Sequence, residues 1–157
     1  MQTEPQKEHV WLQQFVGEWT YETEAYMGPD KPPMKSSGTE SVRSLGGFWV
    51  IGEGRGTMPD GKEATMIITI GFDPGTGRYQ GTWIGSMMNK LWVYDGWIEG
   101  NTLILQADGP KMDGSGGTAT YQDTIEVVSA DHRIFRARMR GDDGNWINFM
   151  EAHYRRA

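Results

Sequence analysis

Residues 120–128 read TYQDTIEVV. Thr120, Gln122, Thr124 and Glu126 alternate with Tyr121, Asp123, Ile125 and Val127, a period of two that predicts a strand with one wet and one inward face. On the inward row Asp123 is an ionisable group among apolar ones. A bare buried carboxylate is costly, so this one must be paired, hydrogen-bonded or protonated. It either makes a structural bond to a neighbouring strand or serves a ligand or a proton transfer. The run that follows, RIFRARMR (133–140), sets Phe135, Ala137 and Met139 on one face. Arg136, Arg138 and Arg140 share the other, read as a solvated outer face rather than an anion-binding stripe.

Outward from this pair the same grammar repeats. Turn signals recur about every ten residues: Leu45-Gly46-Gly47, Pro59-Asp60-Gly61, Asp73 to Gly77, Glu99-Gly100-Asn101, Asp108 to Gly117, Ser129-Ala130-Asp131 and Gly141 to Gly144. Between them lie β-rich runs, among them FWVIGEG, TMIITIGF, YQGTWIG, LWVYDGW, TLILQA and NWINFMEAHY. Trp19, Tyr21, Thr23 and Ala25 alternate with glutamates and Thr20 as a first strand, and the proline-rich segment Gly28–Ser37 is expected to be a loop. Helical spacing of Trp11, Leu12, Phe15 and Val16 predicts one helix from Gln6 to Val16, ended by Gly17. About ten short strands joined by hairpins mean an antiparallel barrel or sandwich. The barrel is favoured because closure removes exposed edges and gives the helix an open end to cover.

The chain has 157 residues and no cysteine, which suits one domain (1–157, with 1–8 as a flexible lead-in) and excludes disulfides and thiolate metal sites. A net charge of -6 argues against generic binding to nucleic acid or anionic membranes. No apolar run reaches the ~20 residues of a membrane helix. The opening MQTEPQKEHVW lacks a signal peptide's apolar core, so a cytoplasmic location is expected.

Soft and aromatic surface concentrates in SMMNKLWVYDGW (86–97). Trp83 stands between Gly81 and Gly85 on one face, glycines that leave room for its ring or for something stacked on it. Met87 and Met88 lie in the connection to the next strand, where Trp92 and Tyr94 share a face and Trp97 falls opposite. Such residues line cavities for apolar small molecules, and they also fill ordinary cores. Arg43 is a candidate inward cation, on a ligand carboxylate or on Asp123; surface exposure is the alternative. Alternation does not decide the face of Trp49, which is kept as a candidate wall residue beside Tyr121.

Catalytic motifs are missing. His9, His132 and His153 form no HxH or HExxH pattern, so no metal is expected; Ser86 is not in a GxSxG turn. GEGRG (52–56) lies in strand context and reads as a bend. His153 is either a capping or surface histidine, or a base or haem ligand.

GEWTYE (17–22), GTESVRSLGGFWV (38–50), IGFDP (70–74), GTWIGSMM (81–88), LWVYDG (91–96), YQDTIE (121–126), DHRIF (131–135) and FMEAHYRR (149–156) resemble a bacterial family catalogued as domain of unknown function 1579. The likeness runs in order from about His9 to the end and assigns a family, not an activity. More distantly, Gly17-Glu18-Trp19 is similar to the Gly-x-Trp motif of calycins, the lipocalins and fatty-acid-binding proteins. That resemblance implies a barrel with a central cavity, Trp19 closing its base beneath Arg155 or Arg156. It also extends to haem-binding nitrobindins, for which His153 is the comparable late histidine.

The expected molecule is therefore an all-β, calycin-like barrel of about ten strands with a helix across one end. Its cavity is expected to bind a small apolar or amphipathic molecule, without a cofactor. Trp83, Met87, Met88, Trp92 and Tyr94 would form the wall and mouth, and Asp123 and Arg43 the polar anchor. The alternatives are an enzyme using Asp123 as general acid or base, a dimeric interaction module built on the aromatic belt, and haem binding through His153.

Overall fold

The computed structural model describes residues 3–26, 28 and 30–157. Ten strands follow one another: β1 (Gly17–Ala25), β2 (Met34–Leu45), β3 (Trp49–Thr57), β4 (Glu63–Asp73), β5 (Arg78–Gly85), β6 (Trp92–Glu99), β7 (Thr102–Pro110), β8 (Thr118–Ser129), β9 (His132–Arg140) and β10 (Trp146–Arg156). Each pairs antiparallel with its chain neighbour, and β1 pairs with β10 to close the barrel. Closure leaves no unpaired sheet edge, which settles barrel against sandwich.

The helix is shorter than its periodicity suggests. It runs as α1 (Lys7–Leu12), followed by a single 3-10 turn, Gln13–Phe15. It therefore begins inside the stretch expected to be a lead-in. His9 fixes it at both ends of the imidazole. The Gln6 backbone N–H donates to Nδ1 (2.8 Å), so Nε2 carries the proton and donates to the Phe72 carbonyl (2.9 Å). Leu12 and Phe15 drop into the barrel base and are buried.

Two local expectations change. The loop before β2 ends with its last proline, Pro33; Lys35, Ser36 and Ser37 have free N–H groups and pair with β1. Pro29, also assigned to that loop, lies outside the described residues. GEGRG is not a bend, since residues 52–56 pair without interruption with both β2 and β4. Its glycines answer to space. A Cβ at Gly52 would lie 3.0 Å from Glu40 Oε2, and one at Gly56 would lie 2.1 Å from the Tyr21 hydroxyl oxygen. Side chains there would fill the interior that these two groups occupy.

Candidate functional site

Alternation along ten closed strands sends every second side chain inward, and here those side chains do not fill the barrel. They surround a cavity of about 650 Å³. Its mouth lies at the end away from α1, among the connections between β1 and β2, β3 and β4, β5 and β6, and β7 and β8. Seven of the eight methionines among the described residues line it, Met139 being the exception. Met87 and Met88 stand at the lip, 39% and 45% exposed.

The wall is aromatic on one side. Trp83 and Trp92 are directly paired across β5 and β6, and both line the cavity. Gly85 makes room for the first ring, which a Cβ there would meet at 2.6 Å; Gly109 does so for the second, at 2.3 Å. Trp92 packs edge-on against Tyr121, with centroids 5.0 Å apart, and its indole N–H points to Met88 Sδ at 3.2 Å. The Tyr121 hydroxyl donates to the Pro110 carbonyl.

Two polar stations interrupt this apolar surface. At the first, the Tyr94 hydroxyl donates to Asp123 Oδ2, bridging β6 and β8. Burial raises the Asp123 carboxyl to about 6, with the tyrosine bond pulling the other way. Burial first, then the charge and hydrogen bond of Asp123, hold the Tyr94 phenol well above its ordinary range. The second station lies at the floor, where Arg133 of β9 makes a buried ion pair with Glu40 of β2. The guanidinium lies 4.1 Å from the Tyr154 ring centroid and 4.7 Å from that of Trp19. Beneath the floor Arg156 covers Trp19 at 4.2 Å and donates to the carbonyls of Gln14, Val16 and Ala130. Of the two arginines the Gly-x-Trp resemblance offers, Arg156 takes the part. Arg133 adds a second guanidinium beside the same ring.

Residues 4–156 match the family model described as "Protein of unknown function (DUF1579)". The chain belongs to that family. Among solved structures this DUF1579 barrel is similar to Rv2717c from M. tuberculosis, at 12% identity with a TM-score of 0.65, covering 98% of this chain and 99% of that one. It is also similar to the S-type phycobiliprotein lyase CPES from Guillardia theta, at 11% identity and a TM-score of 0.61, covering 98% of each chain. A third similar structure is EF1p2_mFAP2b bound to DFHBI, at 13% identity and a TM-score of 0.52, covering 96% of this chain and 100% of that one. At such identities the likeness is one of fold. No curated protein matches the sequence.

Three of the residues expected at the site do not face the cavity of this DUF1579 barrel. Arg43 is exposed on the outer wall, because in β2 the inward row is Glu40 and Val42. Trp49 precedes the inward Val50 and lies outside over Gly71, where a Cβ would meet its ring at 2.4 Å. His153 lies between the inward Ala152 and Tyr154 and also points out; its Nδ1 is 3.0 Å from His132 Nε2. It cannot ligate a group held in the cavity. Trp83, Met87, Met88, Trp92, Tyr94, Tyr121 and Asp123 all line one space. The pair Glu40–Arg133 was missed, although parity marks both: Glu40 shares a row with Val42, and Arg133 with Phe135 and Ala137. Arg136 and Arg138 are outside as expected, engaged with Glu126, Glu151 and Gln122. Among the described residues no group of three ligating side chains could hold a metal, and no helix is long and apolar enough to cross a membrane.

Proposed function

We propose that the barrel binds a small apolar or amphipathic molecule in its cavity. The observation that carries this is the interior itself: about 650 Å³ bounded by Trp83, Trp92 and methionines, where a structural barrel would place packed side chains. Methionine supports the reading, since a flexible thioether follows the shape of whatever enters. A barrel of similar fold that holds the small molecule DFHBI supports it by analogy. Native mass spectrometry of protein freshly purified from its own host, followed by denaturing extraction, tests it. A stoichiometric small molecule is the expected result. Protein that emerges empty and takes up no apolar molecule afterwards overturns the reading.

A second reading, catalysis on a small molecule in the same cavity, draws on one observation. Asp123 sits on the cavity wall with its carboxyl raised to about 6, which suits proton exchange near neutral pH. Any turnover found in a substrate screen should then disappear in Asp123→Asn, whose amide accepts the Tyr94 bond but carries no exchangeable acid. Turnover that survives with an unchanged pH profile removes this reading.

A further inference from the structure

The charged groups of the interior do not balance. The inward face carries two carboxylates, Glu40 and Asp123, and one guanidinium, Arg133. Arg133 is ion-paired with Glu40, which offsets its charge, and is only 5% exposed, with the rings of Tyr154 and Trp19 beside it. Its Nε is buried without a hydrogen-bond partner among the described residues. Asp123 has no cation among the described residues. Its cross-strand neighbours, Leu105 of β7 and Ala137 of β9, are apolar. Tyr94 of β6 satisfies Oδ2 and is its hydrogen-bond partner among the described residues, so Oδ1 is left toward the cavity. Tyr154 of β10 and Tyr21 of β1 bring phenols, not charge, and β3, β4 and β5 contribute glycines, methionine, isoleucine and Trp83. The lysines stand apart at the mouth: Lys111 pairs with Asp142 at 3.0 Å, and Lys90 lies over Trp92 at 5.3 Å.

We infer that the cavity selects an apolar molecule carrying a protonated amine, whose N–H donates to Asp123 Oδ1 while its apolar body lies against Trp83, Trp92 and the methionines. An ammonium ion supplies both things Asp123 lacks, a countercharge and a donor, and in a low-dielectric cavity each is worth more than in water. A carboxylate ligand would face Asp123 with like charge, and the floor arginine is already neutralised. A neutral alcohol offers the donor without the charge. This inference rests on the cavity-binding reading above.

The test uses decylamine, decan-1-ol and decanoate, which share one apolar body and differ only at the head. Titration calorimetry is expected to give decylamine an affinity at least about tenfold above both others at about pH 8, near 1.4 kcal/mol of discrimination. In Asp123→Asn the amine should lose that advantage while decan-1-ol stays within about twofold. Should that variant fail to fold, the wild-type protein answers alone. Amine affinity should fall as pH drops through about 6, where Asp123 takes a proton, and decan-1-ol affinity should not. Equal binding of amine and alcohol overturns the amine inference and leaves the cavity reading standing, as does preference for decanoate. Binding of none of the three overturns both.

Discussion

The two ends of this barrel are built on opposite terms. At the base, α1 and the rings of Phe15 and Trp19 close the floor, and most of the polar groups they bury have partners, Arg133 Nε and Glu8 Oε2 being the exceptions among the described residues. Glu40 has Arg133, the His9 ring is bonded at both nitrogens, and the Arg156 guanidinium reaches three backbone carbonyls. At the mouth, methionines and a lysine stand half in solvent, and a little way inside a carboxylate has a single bond from Tyr94. Interiors normally reach close packing with polar groups satisfied. The base comes nearer to both rules than the upper barrel, which leaves a cavity and a carboxylate without a countercharge among the described residues. On the binding reading proposed above, stability falls to the lower part and recognition to the upper.

The largest expected effect breaks the base. Arg133→Met leaves the Glu40 carboxylate buried without its partner, which costs about 3–5 kcal/mol of folding stability in comparable sites. Chemical denaturation reads this as a large drop in midpoint. Adding Glu40→Gln to the same chain should recover most of the loss, because the uncompensated charge is gone. A loss below about 1 kcal/mol in the single variant would mean that the floor pair is dispensable and the contrast between the ends is false.

The next effect is electrostatic and belongs to the cavity wall. Asp123 has a carboxyl raised from 3.8 to about 6 in the folded chain, so the native state holds this proton more tightly than the unfolded state does. The stabilisation is complete below about pH 4 and is lost as pH rises through 6. Its size is on the order of 2–3 kcal/mol, the displacement from 3.8 to about 6 being worth ~3 kcal/mol at most. Wild-type stability relative to Asp123→Asn should therefore fall by that amount between pH ~4 and pH ~7. Parallel curves for the two proteins would show that the carboxyl is as well solvated as a surface one.

Much of this contrast was legible in the sequence. Period-two alternation and turn spacing specify consecutive antiparallel hairpins because each hairpin is a local decision, while closure rather than a sandwich is favoured only on the ground that it removes exposed edges. Asp123 stood out because a charge on an apolar row is visible within one strand. Its partner did not, since Tyr94 lies 29 positions away and register across the sheet is set by turns elsewhere. Arg43 drew attention through apolar chain neighbours, yet what decides its direction is parity with Val42, which puts Glu40 inside and Arg43 outside. Parity also marks Arg133, which shares a row with Phe135 and Ala137, but its partner Glu40 stands on β2, with β10 and β1 between, and only closure brings the two together. Trp49 could not be placed from its own strand, because Gly52, Gly54 and Gly56 alternate with polar residues and leave no apolar row to follow.

The smallest effect on folding tests the mouth. Met87 and Met88 are more than a third exposed and have little core to lose, so replacing both with alanine should change stability by no more than about 0.5 kcal/mol. Their thioethers nevertheless bound the cavity opening, Met88 holding the Trp92 indole and Met87 lying near Gly85 beside the Trp83 ring. Removing them takes apolar surface from any bound chain and frees Trp92 to move. Uptake of decylamine, followed by the tryptophan fluorescence of the cavity wall, should weaken about threefold, close to 0.7 kcal/mol. Unchanged affinity would return the methionines to ordinary surface. A stability loss matching the binding loss would make them part of the core, and the division of labour between the two ends would then have to be drawn higher in the barrel.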